Sequence, residues 1–66
     1  MIADLDIYHA AKMLVDQHGR GALAHVDRRV EQLLEDGDFE GVRIWRTIMS
    51  AVEELQRERR DGEAVN

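Results

Sequence analysis

The chain has no cysteine, no proline, one tryptophan, one tyrosine and one phenylalanine, and 9 basic residues against 14 acidic ones in 66. Without cysteine there is no disulfide framework and no thiolate metal site. The lack of proline fits an all-helical domain, because no ring interrupts a backbone hydrogen-bond ladder. The net charge of −5 opposes the counterion-release term that drives nucleic-acid binding. No apolar run approaches a membrane span. The opening Met-Ile-Ala-Asp-Leu-Asp places acids where a secretory leader needs a basic region. A cytoplasmic protein with no membrane contact is the expectation. At this length one domain is expected, near the lower limit for folding alone. Apolar burial and conformational entropy then nearly cancel, which leaves oligomerisation open. A shallow groove fits such a chain; an enclosed cleft of enzyme size does not.

What is present is helical periodicity. The run from Asp38 to Arg60 places Val42, Ile44, Trp45, Ile48, Met49, Ala51, Val52 and Leu55 on one side of a helix. At about 100° per residue they cover half the circumference, more than one neighbour can bury. This segment is therefore the expected spine for two others. Upstream, Ile7, Tyr8, Ala10, Ala11, Leu14 and Val15 form one stripe that ends at His18-Gly19, a helix C-terminus. Leu23, Val26, Val30, Leu33 and Leu34 form a second stripe closed by Gly37, with Asp38 placed to cap the next helix. These patterns predict an all-α fold, a compact three-helix up-down-up bundle with helices at 4–19, 21–36 and 38–60. The expected core is Ile7, Ala11, Leu14, Leu23, Val26, Val30, Leu33, Val42, Trp45, Ile48, Met49, Val52 and Leu55. Trp45 is expected at mid-height, near Val30 and the small Ala10 and Ala11. Residues 1–3 read as a lead-in and 61–66 as a frayed tail with little to bury.

The three histidines raise the question of a metal. Ligands must converge, and on helical wheels His9 and His18 lie on opposite sides of the first helix, with His25 on the outer face of the second. No metal and no cofactor are expected. Catalysis needs a nucleophile, a base and an orienting group in reach. Ser50 has Arg46, Glu53 and Glu54 as its helical neighbours and no histidine, so no catalytic residue is assigned and no enzyme is expected.

A hairpin followed by an arginine-bearing helix resembles a helix-turn-helix, with Arg43, Arg46 and Arg57 on the exposed side. Glu53, Glu54 and Glu58 interleave with them, and the Gly37-Asp38 hinge gives antiparallel rather than crossed helices. A small DNA-associated regulator is thus the alternative reading, and nucleic acid is not the expected partner. The leading reading is a non-enzymatic protein–protein interaction module, with self-association as a homodimer open. Leu5, Met13, Phe39 and Ile44 fall at the borders of the core stripes, and with Arg43 and Arg46 they form the candidate partner contact. Phe39 has a second reading as a hydrophobic staple between the second and third helices, and this is the preferred one.

Asp6-Ile7-Tyr8, Gln17-His18-Gly19 and Leu33-Leu34-x-x-Gly37-Asp38-x-x-Gly41-x-x-x-Trp45-x-x-Ile48 resemble a family of short bacterial proteins of unknown function, to about Leu55. That resemblance implies a small helical domain and carries no functional residue. Residues 33–55 are also similar to the turn of a tetratricopeptide helical hairpin. The 34-residue period of that repeat is absent here, and the likeness implies protein–protein contact at most.

Overall fold

Helical hydrogen bonding accounts for nearly all of the chain. The computed structural model describes residues 4–65, with side chains as far as Glu58. Its order is α1 (Asp4–His18), a 3-10 turn (Gly19–Gly21), α2 (Ala22–Asp36) and α3 (Phe39–Val65). No strand occurs among the described residues. The expected lead-in, Met1 to Ala3, lies outside them. Asp4 and Asp6 fall in the first turn of α1, where carboxylates favour the positive end of the helix dipole.

The turn between α2 and α3 shows how the local sequence sets the geometry. Gly37 adopts φ +73°, a left-handed conformation that glycine enters without steric cost. The amide of Gly37 donates to the Leu34 carbonyl at 3.1 Å and that of Asp38 to the Leu33 carbonyl at 2.9 Å. Together these close α2 with a Schellman motif. Asp38 then caps α3, its Oδ1 accepting the Gly41 amide at 2.9 Å. A Cβ on Gly41 would stand 2.8 Å from Asp38 Oδ2 and 3.1 Å from Leu33 Cδ2. The spacing Gly37-Asp38-x-x-Gly41 thus combines a helix stop, a cap and the room the cap requires.

This geometry makes the cap testable. Asp38→Ala should cost about 1 kcal/mol. Gly41→Ala in the parent should be nearly neutral, because losing the cap offsets the gain of about 1 kcal/mol of alanine over glycine in a helix. In the Asp38→Ala background the same change should stabilise. Chemical denaturation of the four proteins in this double-mutant cycle measures the coupling. Equal effects of Gly41→Ala in both backgrounds would remove the steric link.

Both α1 and α2 lie against α3 and have little contact with each other. The all-α, compact fold with α3 as the spine for two others is as expected; what is corrected is the three-helix up-down-up arrangement, because α1 and α2 run on as one bent helix laid against α3. The physical reason is the width of the stripes. Buried positions of α1 (Ile7, Ala11, Val15) and of α2 (Ala22, Val26, Val30, Leu33) are enough to cover one neighbour each. The half-circumference of α3 accommodates both. Helical backbone thus runs from Asp4 through a bend at Gly19, φ +54°, to Asp36, and this bent arm clasps α3. Gln56 Nε2 donates to the Gly19 carbonyl at 2.9 Å and ties the bend to α3. The resulting body is elongated, 45 × 23 × 15 Å.

The core is Ile7, Ala11, Val15, Ala22, Val26, Val30, Leu33, Val42, Ile48 and Val52. Val15 and Ala22 join the expected set. Leu14, Leu23, Trp45, Met49 and Leu55 are partly buried around it rather than central. Small side chains dominate this core, so the helices approach closely and a large ring finds no central space. Trp45 accordingly sits at the rim, with the Arg29 guanidinium 5.9 Å from its ring centroid. The third helix also continues to Val65, past the tail expected from residue 61. The segment holds no proline, and its glycine costs only about 1 kcal/mol against alanine in a helix.

Candidate functional site

Two hydroxyls of α3 are spent on their own helix. Ser50 Oγ donates to the Arg46 carbonyl at 3.3 Å, and Thr47 Oγ1 to the Arg43 carbonyl at 3.0 Å, each one turn back along α3. These hydroxyls are occupied by their own helix. Arg57 Nη1 meets Glu54 Oε2 at 3.4 Å in an exposed pair, where solvent screens most of the attraction.

The histidines depart from the wheel expectation. His18 and His25 do meet: their rings stack with centroids 4.3 Å apart and planes 17° from parallel, across the bend between α1 and α2. Wheels drawn for separate helices cannot show this, because the bend carries the end of α1 over the first turns of α2. The stack sets ring face against ring face, so the nitrogen lone pairs do not point at one ion. No group of three His, Asp or Glu suited to a metal occurs among the described residues. His9 lies apart, beside Tyr8. The stack is worth about 0.5–1 kcal/mol by analogy with other ring pairs. Loss of His25 should therefore lower stability by that order, as read in a thermal melt.

The surface is more distinctive than any pocket. Phe39 is 68% exposed, Leu5 62% and Met13 60%. Tyr8 and Leu34, which lie on the apolar stripes but outside the expected core, are exposed as well. Leu34 follows Leu33 by about 100° on the wheel and falls at the edge of the α2 stripe, where a single neighbour leaves it in water. Ile44 behaves differently from its candidate companions and packs against the core. Arg43 and Arg46 are exposed and have no ion-pair partner among the described residues.

Phe39 is not a staple. That motif uses the residue before the cap, which here is Gly37, with no side chain to offer. Phe39 is the first residue of α3 and projects outward, while hydrogen bonds at Gly37 and Asp38 set the angle of the turn. Three of the six candidate contact residues are thus large apolar groups in water, two are arginines without an ion-pair partner among the described residues, and one, Ile44, is partly buried against the core.

The match to known families covers this whole arrangement. Residues 4–60 match the family of unknown function DUF6961. The chain belongs to that family. Membership in DUF6961 accords with a small helical domain and assigns it no activity. Neither the curated proteins nor the solved structures contain a match. Among the described residues no helix of this family member is long and apolar enough to cross a membrane.

Proposed function

We propose that this chain is a cytoplasmic, non-enzymatic protein-contact module, acting as a homodimer or on another protein through exposed side chains on its helices. The observation that carries the reading is Phe39. Its ring is 68% exposed yet stands on a backbone fixed by the Gly37 closure and the Asp38 cap. A rigidly mounted aromatic loses little freedom on contact, which is why such residues serve as binding anchors. Leu5 and Met13 on α1 add to the apolar surface in water. Scattered exposed leucines alone mean little; an aromatic ring held outward beside unpaired arginines is a stronger feature.

Site-specific photo-crosslinking in living cells tests this. A photoreactive phenylalanine analogue at position 39 should give a discrete adduct, reduced by excess unlabelled chain. The same group at Glu31, on the exposed side of α2, should not. Equal, diffuse labelling from both positions would refute a contact role for Phe39.

The unpaired Arg43 and Arg46 also support the second reading, a small DNA-associated regulator. It requires duplex binding that weakens steeply with salt. Binding that is absent at low salt removes it.

A further inference from the structure

One stripe on α3 has a pattern of its own. Phe39, Arg43, Arg46, Ser50, Glu53 and Arg57 are all exposed. They follow one another at intervals of 4, 3, 4, 3 and 4 residues. On a helix these positions share an arc of about 80° and form a continuous seam, the spacing by which two helices pack side by side. The intervals read the same in both directions about position 48. An antiparallel copy of the seam laid on itself therefore sets Phe39 opposite Arg57, Arg43 opposite Glu53, and Arg46 opposite Ser50. Each opposition is favourable or neutral: a cation over an aromatic ring, a guanidinium against a carboxylate, and a long side chain over a small one.

We propose that this seam is a two-fold contact between two copies of the chain, α3 against α3 in antiparallel register. This rests on the contact-module reading and names its occupant. Two observations support it besides charge complementarity. First, Arg43 and Glu53 have no ion-pair partner among the described residues. They stand about 15 Å apart along the helix, too far to satisfy each other within one chain. Second, the hydroxyls of Ser50, near the middle of the seam, and of Thr47 beside it are already bonded to carbonyls of their own helix. Covering them leaves no orphan donor. A two-fold operator uses each of these pairs twice and closes the assembly at two.

The test is molar mass by light scattering over a dilution series at low and high salt. The parent should pass reversibly from monomer to dimer, with association weaker at high salt because the pairs are charged. Arg43→Glu and Glu53→Arg should each weaken the dimer at least about tenfold, since each sets like charges opposite one another twice. The double variant R43E/E53R should recover association. In a monomer these two exposed residues do not meet, so recovery cannot arise within one chain. Circular dichroism should show all four proteins equally helical.

A parent that is monomeric throughout would overturn the seam, and the crosslink from position 39 then decides separately whether another protein is the partner. A dimer untouched by either single charge reversal, but lost on Leu5→Asp or Met13→Asp, would move the interface to α1. That result overturns the seam and keeps the contact module. Failure of R43E/E53R to recover would also overturn the antiparallel register.

Discussion

Replacing Val52 by aspartate is expected to abolish the fold. Val52 is fully buried, in the apolar arc of α3 that α1 and α2 cover between them. There is no buried polar side chain among the described residues to receive a carboxylate. An unpaired charge in such a place costs several kcal/mol, or forces the group to take up a proton. A domain of this size holds only about 3–10 kcal/mol in total. Far-UV circular dichroism at neutral pH should show helix content largely lost, with no cooperative melt.

Two companions separate burial from mere substitution. Val52→Ala removes two methyl groups and leaves a small cavity, so it should cost about 2 kcal/mol and remain folded. Ala24→Asp adds the same charge at an exposed position of α2, away from the seam, and should melt close to the parent. A Val52→Asp protein that melts within a few degrees of the parent would mean that α1 and α2 do not enclose α3 at this level.

The position of Val52 was legible because helical periodicity is a property of one segment, and the widest apolar stripe marks the segment with the most neighbours. The same logic found Gly37 as a helix stop and Asp38 as a cap, since both act within a few residues of themselves. What the stripes could not show depends on how segments meet. His18 and His25 stack only because the Gly19 bend carries one helix end over another. Tyr8 and Leu34 fall on plausible stripes, yet α1 and α2 each cover a single neighbour, which leaves their flanks in water. Phe39 was misread for a local reason: a staple belongs before the cap, and the cap had already been placed at Asp38. Of the candidate contact residues, Leu5, Met13, Phe39, Arg43 and Arg46 are exposed, and Ile44 is partly buried against the core because α3 buries a wider arc than any single stripe requires.

Trp45 is where sequence and structure imply different magnitudes, and the difference can be measured. A central tryptophan would cost about 3–5 kcal/mol on truncation to alanine, most of the stability available. The rim position found here predicts less, about 2 kcal/mol, because part of the ring surface is in water in the native state. Some of that loss is specific to Arg29, whose guanidinium lies 5.9 Å from the ring centroid; such a contact is worth about 0.5–1 kcal/mol at an exposed site. A loss of about 2 kcal/mol corresponds to roughly 8–16 °C in a melt for a domain of this length. Trp45 is also the sole tryptophan, so its fluorescence reports on this position alone. Iodide or acrylamide should quench the native emission partly, and Arg29→Ala should raise that quenching while costing no more than about 1 kcal/mol. A Trp45→Ala variant that loses the full amount expected of a central ring, with native emission shielded from both quenchers, would return the indole to the core.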